Sequence, residues 1–301
     1  PCIRTTLATA ALLSIGTLAS AAPTFVNGLA IDAATLDLSG GTTVNNGRLG
    51  FFSDIYYDTN RKEWWGLSDR GPGGGTLSYD TRMQRFTVDV NSATGAISNF
   101  KVLQTVVFKD STGVAFNGMA PSPTNLLGRS LDPEGLVVNP RNGNFLVSDE
   151  YGPSLLEFNR SGLLVRQYAT PSNLLPKVGS ATDYAATPPT LTSGREPNRG
   201  LEGLAISPDG QFAFAMLQNG TVDDGWTSSA RGLYTRIVKY DTTTGQAVGQ
   251  YAYKLQSSGQ GRGISALVAI NDHQFMVLER NNRGVGVPEA NLSSPDKNVF
   301  L

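Results

Sequence analysis

The sequence predicts an all-β fold, a β-propeller built from four-stranded antiparallel blades. One unit recurs four times: a short apolar strand, a turn rich in Asn, Asp and Gly, and a second apolar strand. Two more strand-like runs, joined by a short turn ending in glycine, follow each of the first three units. No segment keeps a helical period. Four antiparallel strands per unit, repeated along the chain, are typical of propeller blades.

The predicted strands follow one another in a regular order. The runs within each hairpin are almost continuously apolar, which indicates strands covered on both faces, as in stacked sheets. We expect about five or six blades in all. The last four residues resemble the opening of a third strand, so the last blade is expected to be truncated. The predicted hairpins span residues 53–70, 134–150, 202–218 and 265–280, and the predicted outer strand pairs are 85–90 with 101–108, 155–159 with 163–168, and 235–240 with 250–255.

The N-terminal residues predict a secretory signal peptide. Residues 7–18 form an uncharged run of apolar and small residues, and Ala19-Ser20-Ala21 follows it as a cleavage pattern. The run is too short to span a membrane. We therefore expect residues 1–21 to be removed and residues 22–301 to form one domain. That domain would be secreted or periplasmic, without stable insertion in a membrane.

Composition excludes several classes of function. The chain has 24 basic and 25 acidic residues and no dense Lys/Arg run, which argues against a nucleic-acid partner. It has one cysteine, Cys2, and one histidine, His273. Disulfide frameworks, cysteine-rich zinc sites and Cys/His catalysis are therefore excluded. A bound metal would need mostly oxygen ligands, which favours Ca²⁺, Mg²⁺ or Mn²⁺.

The long connections and many acidic residues fall at the same end of the predicted propeller. Glu134 and Asp149 are equidistant from their turn, so the start of the inner strand and the end of the next strand should be neighbours there. Carboxylates at the ends of apolar strands cost desolvation unless a cation or arginine compensates them. They could equally form turns or an arginine-paired structural ring. The residues expected around the channel mouth are Asp69, Glu134, Asp149, Glu150, Glu202 and Glu279, with Arg70, Arg199 and Arg280 close by.

Five short strings carry a resemblance to a known family. They are LSDRGP (67–72), DPEGL (132–136), SDEYGP (148–153), NRGLEGL (198–204) and LERN (278–281). In combination, over residues 45–301, they resemble the bacterial family described as "esterase-like activity of phytase". The resemblance implies a secreted propeller-like protein in which Asp69, Glu134, Asp149, Glu150, Glu202 and Glu279 serve phosphoester hydrolysis. The first unit departs from the pattern, with Ser53-Asp54 where Glu-Gly or Ser-Gly is expected.

The predicted function is metal-assisted hydrolysis of a small phosphorylated or ester substrate. Calcium or another hard divalent cation would polarise the phosphoryl group, and arginines would neutralise the phosphate. Two alternatives stay open: a non-catalytic propeller that binds a ligand or envelope component, and a lactonase or carboxylesterase on the same architecture. The predicted catalytic residues are Glu134, Glu202, Asp149 and Glu279, the substrate-binding residues Arg70, Arg199 and Arg280, and the metal ligands Asp69, Asp149, Glu150 and Glu202.

Overall fold

The computed structural model describes residues 26–43, 45–50, 52–121, 126–225, 232–256, 262–281 and 297–301. These residues form four antiparallel sheets arranged as the blades of a β-propeller, which confirms the predicted fold class. The predicted signal peptide lies outside the described residues. In the described part of the chain, no helix has the length and hydropathy needed to cross a lipid bilayer.

The strands alternate with turns and loops in chain order. Blade 1 contains β1 (Phe52–Asp58), β2 (Glu63–Ser68), β3 (Arg82–Val90) and β4 (Ile97–Val107), and blade 2 contains β5 (Pro133–Val138), β6 (Phe145–Asp149), β7 (Ser154–Phe158) and β8 (Leu164–Gln167). A small ribbon, β9 (Lys177–Val178) with β10 (Ala181–Thr182), lies in the following loop. Blade 3 contains β11 (Leu201–Ile206), β12 (Phe212–Leu217), β13 (Tyr234–Asp241) and β14 (Ala247–Lys254), and the described strands of blade 4 are β15 (Gly263–Ala269), β16 (Phe275–Arg280) and β17 (Lys297–Phe300).

The first strands of the blades lie side by side: β1 contacts β5, β5 contacts β11, and β11 contacts β15. Residues from all four strands line a cavity of about 530 Å³ along the centre. They are therefore the inner strands, as predicted from the repeat. The long loops all leave the hairpins at one end, which we call the loop face.

The described residues form four blades, fewer than the five or six expected. The described residues before β1 do not build a blade, and some of them contact the outer strand of blade 1. Asn27 donates a hydrogen bond to Gly95 O and accepts one from Ile97 N, and Leu38 N donates to Thr105 Oγ1. This segment therefore contacts β4, the outer edge strand of the blade, near both of its ends.

Apolar layers between neighbouring blades hold the fold together. In the layer between blades 1 and 2, the buried Trp65 ring packs edge-on against Phe145, with 4.6 Å between ring centroids. Two further layers join blade 2 to blade 3 and blade 3 to blade 4. Every residue of β6 and β7 is buried because a blade covers each of their faces. This double burial explains the almost continuous hydrophobicity of the sequence.

Each inner strand carries a β-bulge at its loop-face end. The register shifts between Phe52 and Asp54, Pro133 and Gly135, Leu201 and Gly203, and Ile264 and Ala266. Because of the bulges, the pairing differs from the symmetric pairing that the sequence predicted about the turns: Asp149 pairs with Pro133 and not with Glu134. A bulge turns its extra side chain away from the regular alternation. The bulged residues are Ser53, Glu134, Glu202 and Ser265.

Candidate functional site

Three carboxylates converge at the loop face of blade 2. Asp132, Glu134 and Glu150 each place one oxygen within 4.8 Å of the others. Asp132 precedes β5, Glu134 is the bulged residue of that strand, and Glu150 follows β6. The backbone bond from Glu150 N to Asp132 O, at 2.9 Å, brings the two strand ends together. Asp132 and Glu150 are buried and Glu134 is half-buried.

Glu202, the bulged residue of blade 3, joins these three residues. Its charge contributes to raising the pKa values of both Glu134 and Glu150, after the larger effect of burial. Its Oε2 atom accepts a hydrogen bond of 3.0 Å from Gln218 Nε2, and its Oε1 atom lies 3.6 Å from Arg280 Nη2. We call Asp132, Glu134, Glu150 and Glu202 the acidic cluster.

The acidic cluster is electrostatically strained in the absence of a cation. Burial raises the pKa of Asp132 to about 6, although the charge of Arg70 opposes this, and burial raises the pKa of Glu202 to about 7. Burial and neighbouring carboxylates raise the pKa values of Glu134 and Glu150 well above their ordinary range. Like charges so close together require bound protons or a cation.

One oxygen of the cluster lacks an ordinary hydrogen-bond donor. Glu150 is 1% exposed, and no amide, hydroxyl or guanidinium of the described residues donates to its Oε1 atom. Glu150 and Glu202 lie close enough to share a proton. A buried carboxylate oxygen without a donor is costly, so a shared proton or a metal ion would stabilise this arrangement.

Three arginines surround the acidic cluster. Arg70 binds Asp132 twice: its backbone N donates to Oδ1 at 3.1 Å, and its Nη1 donates to Oδ2 at 2.5 Å. The same Nη1 donates to Asn198 Oδ1 and lies 3.9 Å from Glu150 Oε2. The charge of Arg199 opposes the rise in the pKa of Glu150 that burial causes. Arg280 lies near Glu202, as described above. The side chains of Arg70 and Arg280 are 20% and 25% exposed, so both lie at the border between the cluster and solvent.

Asp149 is next to the cluster in sequence but has a different environment. Its Oδ1 atom accepts hydrogen bonds from the backbone N of Asp132 and of Tyr151, both at 3.0 Å, and its Oδ2 atom accepts one from Gly152 N at 2.8 Å. Burial raises its pKa to about 7 against the lowering by these three donors. The carboxylate thus fixes the backbone on which Asp132 and Glu150 stand.

Two other predicted site residues also have their own partners. Glu279 accepts hydrogen bonds from Tyr253 Oη at 2.9 Å and Gln256 N at 3.2 Å, and Arg262 Nη1 lies 3.9 Å away. Asp69 is half-buried and accepts a hydrogen bond from Gly71 N at 2.8 Å. Burial raises the pKa of Asp69. Its charge in turn helps to raise the pKa of Asp132, so Asp69 lies at the border of the cluster.

Sequence reasoning missed two residues of the site. Asp132 is the first residue of the DPEGL motif but was not among the predicted ligands. Its position just before Pro133 and Glu134 puts it at the same strand end as Glu134. Ser53 occupies the bulge of blade 1, and its hydroxyl donates a hydrogen bond to Glu134 Oε2. The first unit therefore supplies a donor to the cluster through Ser53. Asp54 instead accepts a hydrogen bond of 2.7 Å from Leu136 N.

Comparison with known proteins identifies the family. The profile of the family described as "Phytase-like: Esterase-like activity of phytase" matches residues 47–298. The chain belongs to this family. It is also 28% identical to an "Uncharacterized secreted protein" of the fungus Arthroderma benhamiae, in a match that covers 59% of this chain and 44% of the relative. The predicted family is confirmed, whereas a bacterial source is not shown.

Solved structures of propeller proteins resemble the chain only distantly. The Dos1 propeller is 10% identical with a TM-score of 0.36, over 78% of this chain and 44% of that chain. Saccharomyces cerevisiae Sqt1 is 11% identical with a TM-score of 0.34, over 79% of this chain and 58% of that chain. These scores are too low to support an argument about function. The chain spans about half the length of the proteins it matches.

Proposed function

We propose that the protein is a phytase-like hydrolase that uses a divalent cation in the acidic cluster to hydrolyse phosphoesters. The observation that carries this proposal is the buried convergence of Asp132, Glu134 and Glu150, in which Glu150 Oε1 has no ordinary donor. Membership of the phytase-like family supports the reaction class. The family alone does not define a substrate.

The residues of the cluster fit a hard cation. All their ligand atoms are carboxylate oxygens, which Ca²⁺ prefers and which Mg²⁺ and Mn²⁺ also accept. Asp132, Glu134 and Glu150 would hold the ion. When bound, such a cation polarises a phosphoryl oxygen and lowers the pKa of a coordinated water. Ser53 and Arg70 would orient Glu134 and Asp132 through the hydrogen bonds described above.

The charge balance explains why a cation would be needed for an anionic substrate. Four carboxylates face three guanidiniums, so the site without a cation is negative or protonated. With a divalent cation held by Asp132, Glu134 and Glu150, the local charge would become positive, which would favour a bound phosphate. Arg70, Arg199 and Arg280 would then bind phosphate oxygens through charge-assisted hydrogen bonds. Glu202 belongs to the cluster from blade 3 and would be the group that accepts the proton of the attacking water.

The geometry does not favour a serine hydrolase of the Ser-His-Asp type at this site. His273, the chain's one histidine, is 82% exposed in the turn between β15 and β16, 3.3 Å from Asp272. That turn lies at the end of blade 4 opposite to the loop face. The alternatives of a lactonase, a carboxylesterase without such a triad, and a non-catalytic binding propeller are tested by the substrate panel described below.

We also propose that the protein is exported. The A-x-A pattern behind an uncharged apolar run motivates this, and the fungal relative is described as secreted. N-terminal sequencing of exported material should begin near Ala22. Retention of residues 7–18 in that material would contradict the proposal.

The decisive experiment couples cation binding to activity. Calcium should raise the melting temperature of the wild-type protein, because a ligand that binds only the folded state stabilises it. Glu134→Gln and Asp132→Asn should shrink that shift. Asp209→Asn is the matched control, since Asp209 is an exposed turn residue that accepts a hydrogen bond from Ser207 on the opposite face.

Activity is then measured on phosphomonoester, phosphodiester, lactone and acyl-ester substrates, each with Ca²⁺ and with a chelator. Phosphate release that depends on the cation and is lost in Glu134→Gln supports the proposal. Cleavage of the lactone or acyl ester alone would favour the other hydrolases. A protein that shows no shift with Ca²⁺, Mg²⁺ or Mn²⁺ and cleaves nothing would contradict the proposal and favour a binding propeller.

A further inference from the structure

A mostly apolar cavity of about 480 Å³ lies on the loop face of blade 1. This volume is in the range of small-molecule binding sites. Its polar side chains are Asp32, Arg48, Ser68 and Asp69. The apolar side chains that line it are Leu29, Ile31, Leu49, Phe52, Pro72 and Tyr79.

Two connections along the chain place this cavity against the acidic cluster. Phe52 lines the cavity, and the next residue, Ser53, donates a hydrogen bond to Glu134. Asp69 also lines the cavity, and the next residue, Arg70, binds Asp132. Asp69 is close enough to Asp132 for its charge to raise the pKa of that carboxyl. A molecule in the cavity would therefore extend toward the cluster at one end.

We propose that this cavity binds the apolar alkyl, acyl or aryl group of a phosphoester whose phosphate lies at the acidic cluster. The inference rests on the proposed function and adds a substrate class to it. The apolar lining would gain from burying hydrocarbon. The wall carries two carboxylates, Asp32 and Asp69, against one guanidinium, Arg48. Its net negative charge would repel a second phosphate, so the chemistry favours one phosphate joined to one apolar group over a polyphosphorylated sugar.

The test uses a homologous series of n-alkyl phosphates from methyl to octyl, with Ca²⁺ present. Calorimetry gives the dissociation constant of each compound, and release of inorganic phosphate gives kcat/KM. Each methylene that enters the cavity should tighten binding about fourfold, until the chain fills the space. Hydrolysis should follow the same order.

Leu29→Asp places a charge in the cavity wall and should abolish the dependence of affinity on chain length. Leu36→Asp is the matched control, because Leu36 belongs to the same segment, is 64% exposed and does not line the cavity. The control should retain the full dependence. Leu29 is itself 42% exposed, so neither variant removes a core residue.

The outcomes separate the two proposals. Affinity that rises with chain length without any phosphate release would support the cavity and contradict the proposed function. Phosphate release at the same kcat/KM for every chain length, with flat affinity, would support the function and overturn the cavity. Equal effects of Leu29→Asp and Leu36→Asp would also overturn it.

Discussion

In the cation-free protein, Glu202 should make the fold less stable as the pH rises from about 4.5 to about 7. Glu202 is 5% exposed, and burial raises its pKa from 4.5 to about 7 although Arg280 and Gln218 oppose the rise. The folded protein therefore binds this proton more tightly than the unfolded chain does. Its contribution to stability is fully present below pH 4.5 and is lost as the pH rises through the folded-state pKa.

The size of the effect follows from the two pKa values. Each pKa unit corresponds to about 1.4 kcal/mol, so a pKa difference of about 2.5 gives about 3 kcal/mol for this carboxyl. Glu202 is nearly inaccessible to solvent, so screening does not reduce the figure. Domains unfold with free energies of about 5–15 kcal/mol, so 3 kcal/mol is readily measured.

Urea denaturation in EDTA at pH 4.5 and pH 7.5 measures this contribution. Glu202→Gln cannot ionise and keeps an oxygen for the hydrogen bond from Gln218. Relative to wild type, the variant should gain about 3 kcal/mol between pH 4.5 and pH 7.5. Glu157→Gln is the control, for which the opposite dependence of stability on pH is expected. Although burial opposes it, hydrogen bonds from Asn144 and Arg166 lower the pKa of Glu157, so this variant should be destabilised at pH 7.5 and less so at acidic pH.

A constant difference between Glu202→Gln and wild type across this pH range would refute the reasoning. It would mean that Glu202 is hydrated or fully compensated by Arg280. Saturating Ca²⁺ provides a second check, because a cation bound to the cluster compensates the charge of Glu202. The gain at pH 7.5 should then disappear.

Three further variants test the surroundings of the site by urea denaturation. Gly135→Ala should cost about 1–3 kcal/mol, since its Cβ would lie 2.8 Å from Glu202 O, whereas a Cβ at Gly249 would meet the Tyr251 hydroxyl at 3.1 Å and the ring at 3.4 Å, so Gly249→Ala should be nearly neutral. Asp149→Ala should cost about 3 kcal/mol or more, because it leaves the buried backbone N–H groups of Asp132 and Gly152 without an acceptor. Asp37→Ala breaks its buried ion pair with Arg82, of 2.8 Å, and should cost about 3–5 kcal/mol and expose residues 26–43 to proteases; unchanged cleavage would contradict that.

The sequence was sufficient to predict the hairpins but not their register. Apolar runs on either side of Asn/Asp/Gly turns define β5–β6 and β11–β12 almost to the residue. Symmetry about the turn assumes an unbroken ladder, and a bulge breaks the ladder without leaving a distinct residue type in the sequence. Glycine gives an indirect signal: Gly135 and Gly203 follow the bulged residues because the next inner strand lies close to their Cα atoms.

The arrangement of the site depended on contacts between blades, which the sequence pattern does not contain. Strand ends predicted that Glu134, Glu150 and Glu202 share the loop face, and the structure brings them together. The ion pair of Arg70 with Asp132 joins blade 1 to the loop before blade 2. Asp149 and Glu150 are consecutive, yet one binds backbone N–H groups and the other joins the cluster. Composition and spacing cannot separate two such neighbours.

The four bulges explain how a repeated fold makes the acidic cluster at one place among the described blades. The same backbone position holds serine in blades 1 and 4 and glutamate in blades 2 and 3. Four glutamates there would add two more buried charges to a cluster that already holds pKa values well above normal. Serine in blade 1 instead donates a hydrogen bond to the glutamate of blade 2. The repeat therefore supplies the geometry, and the departures from the repeat place the acidic cluster between blades 2 and 3.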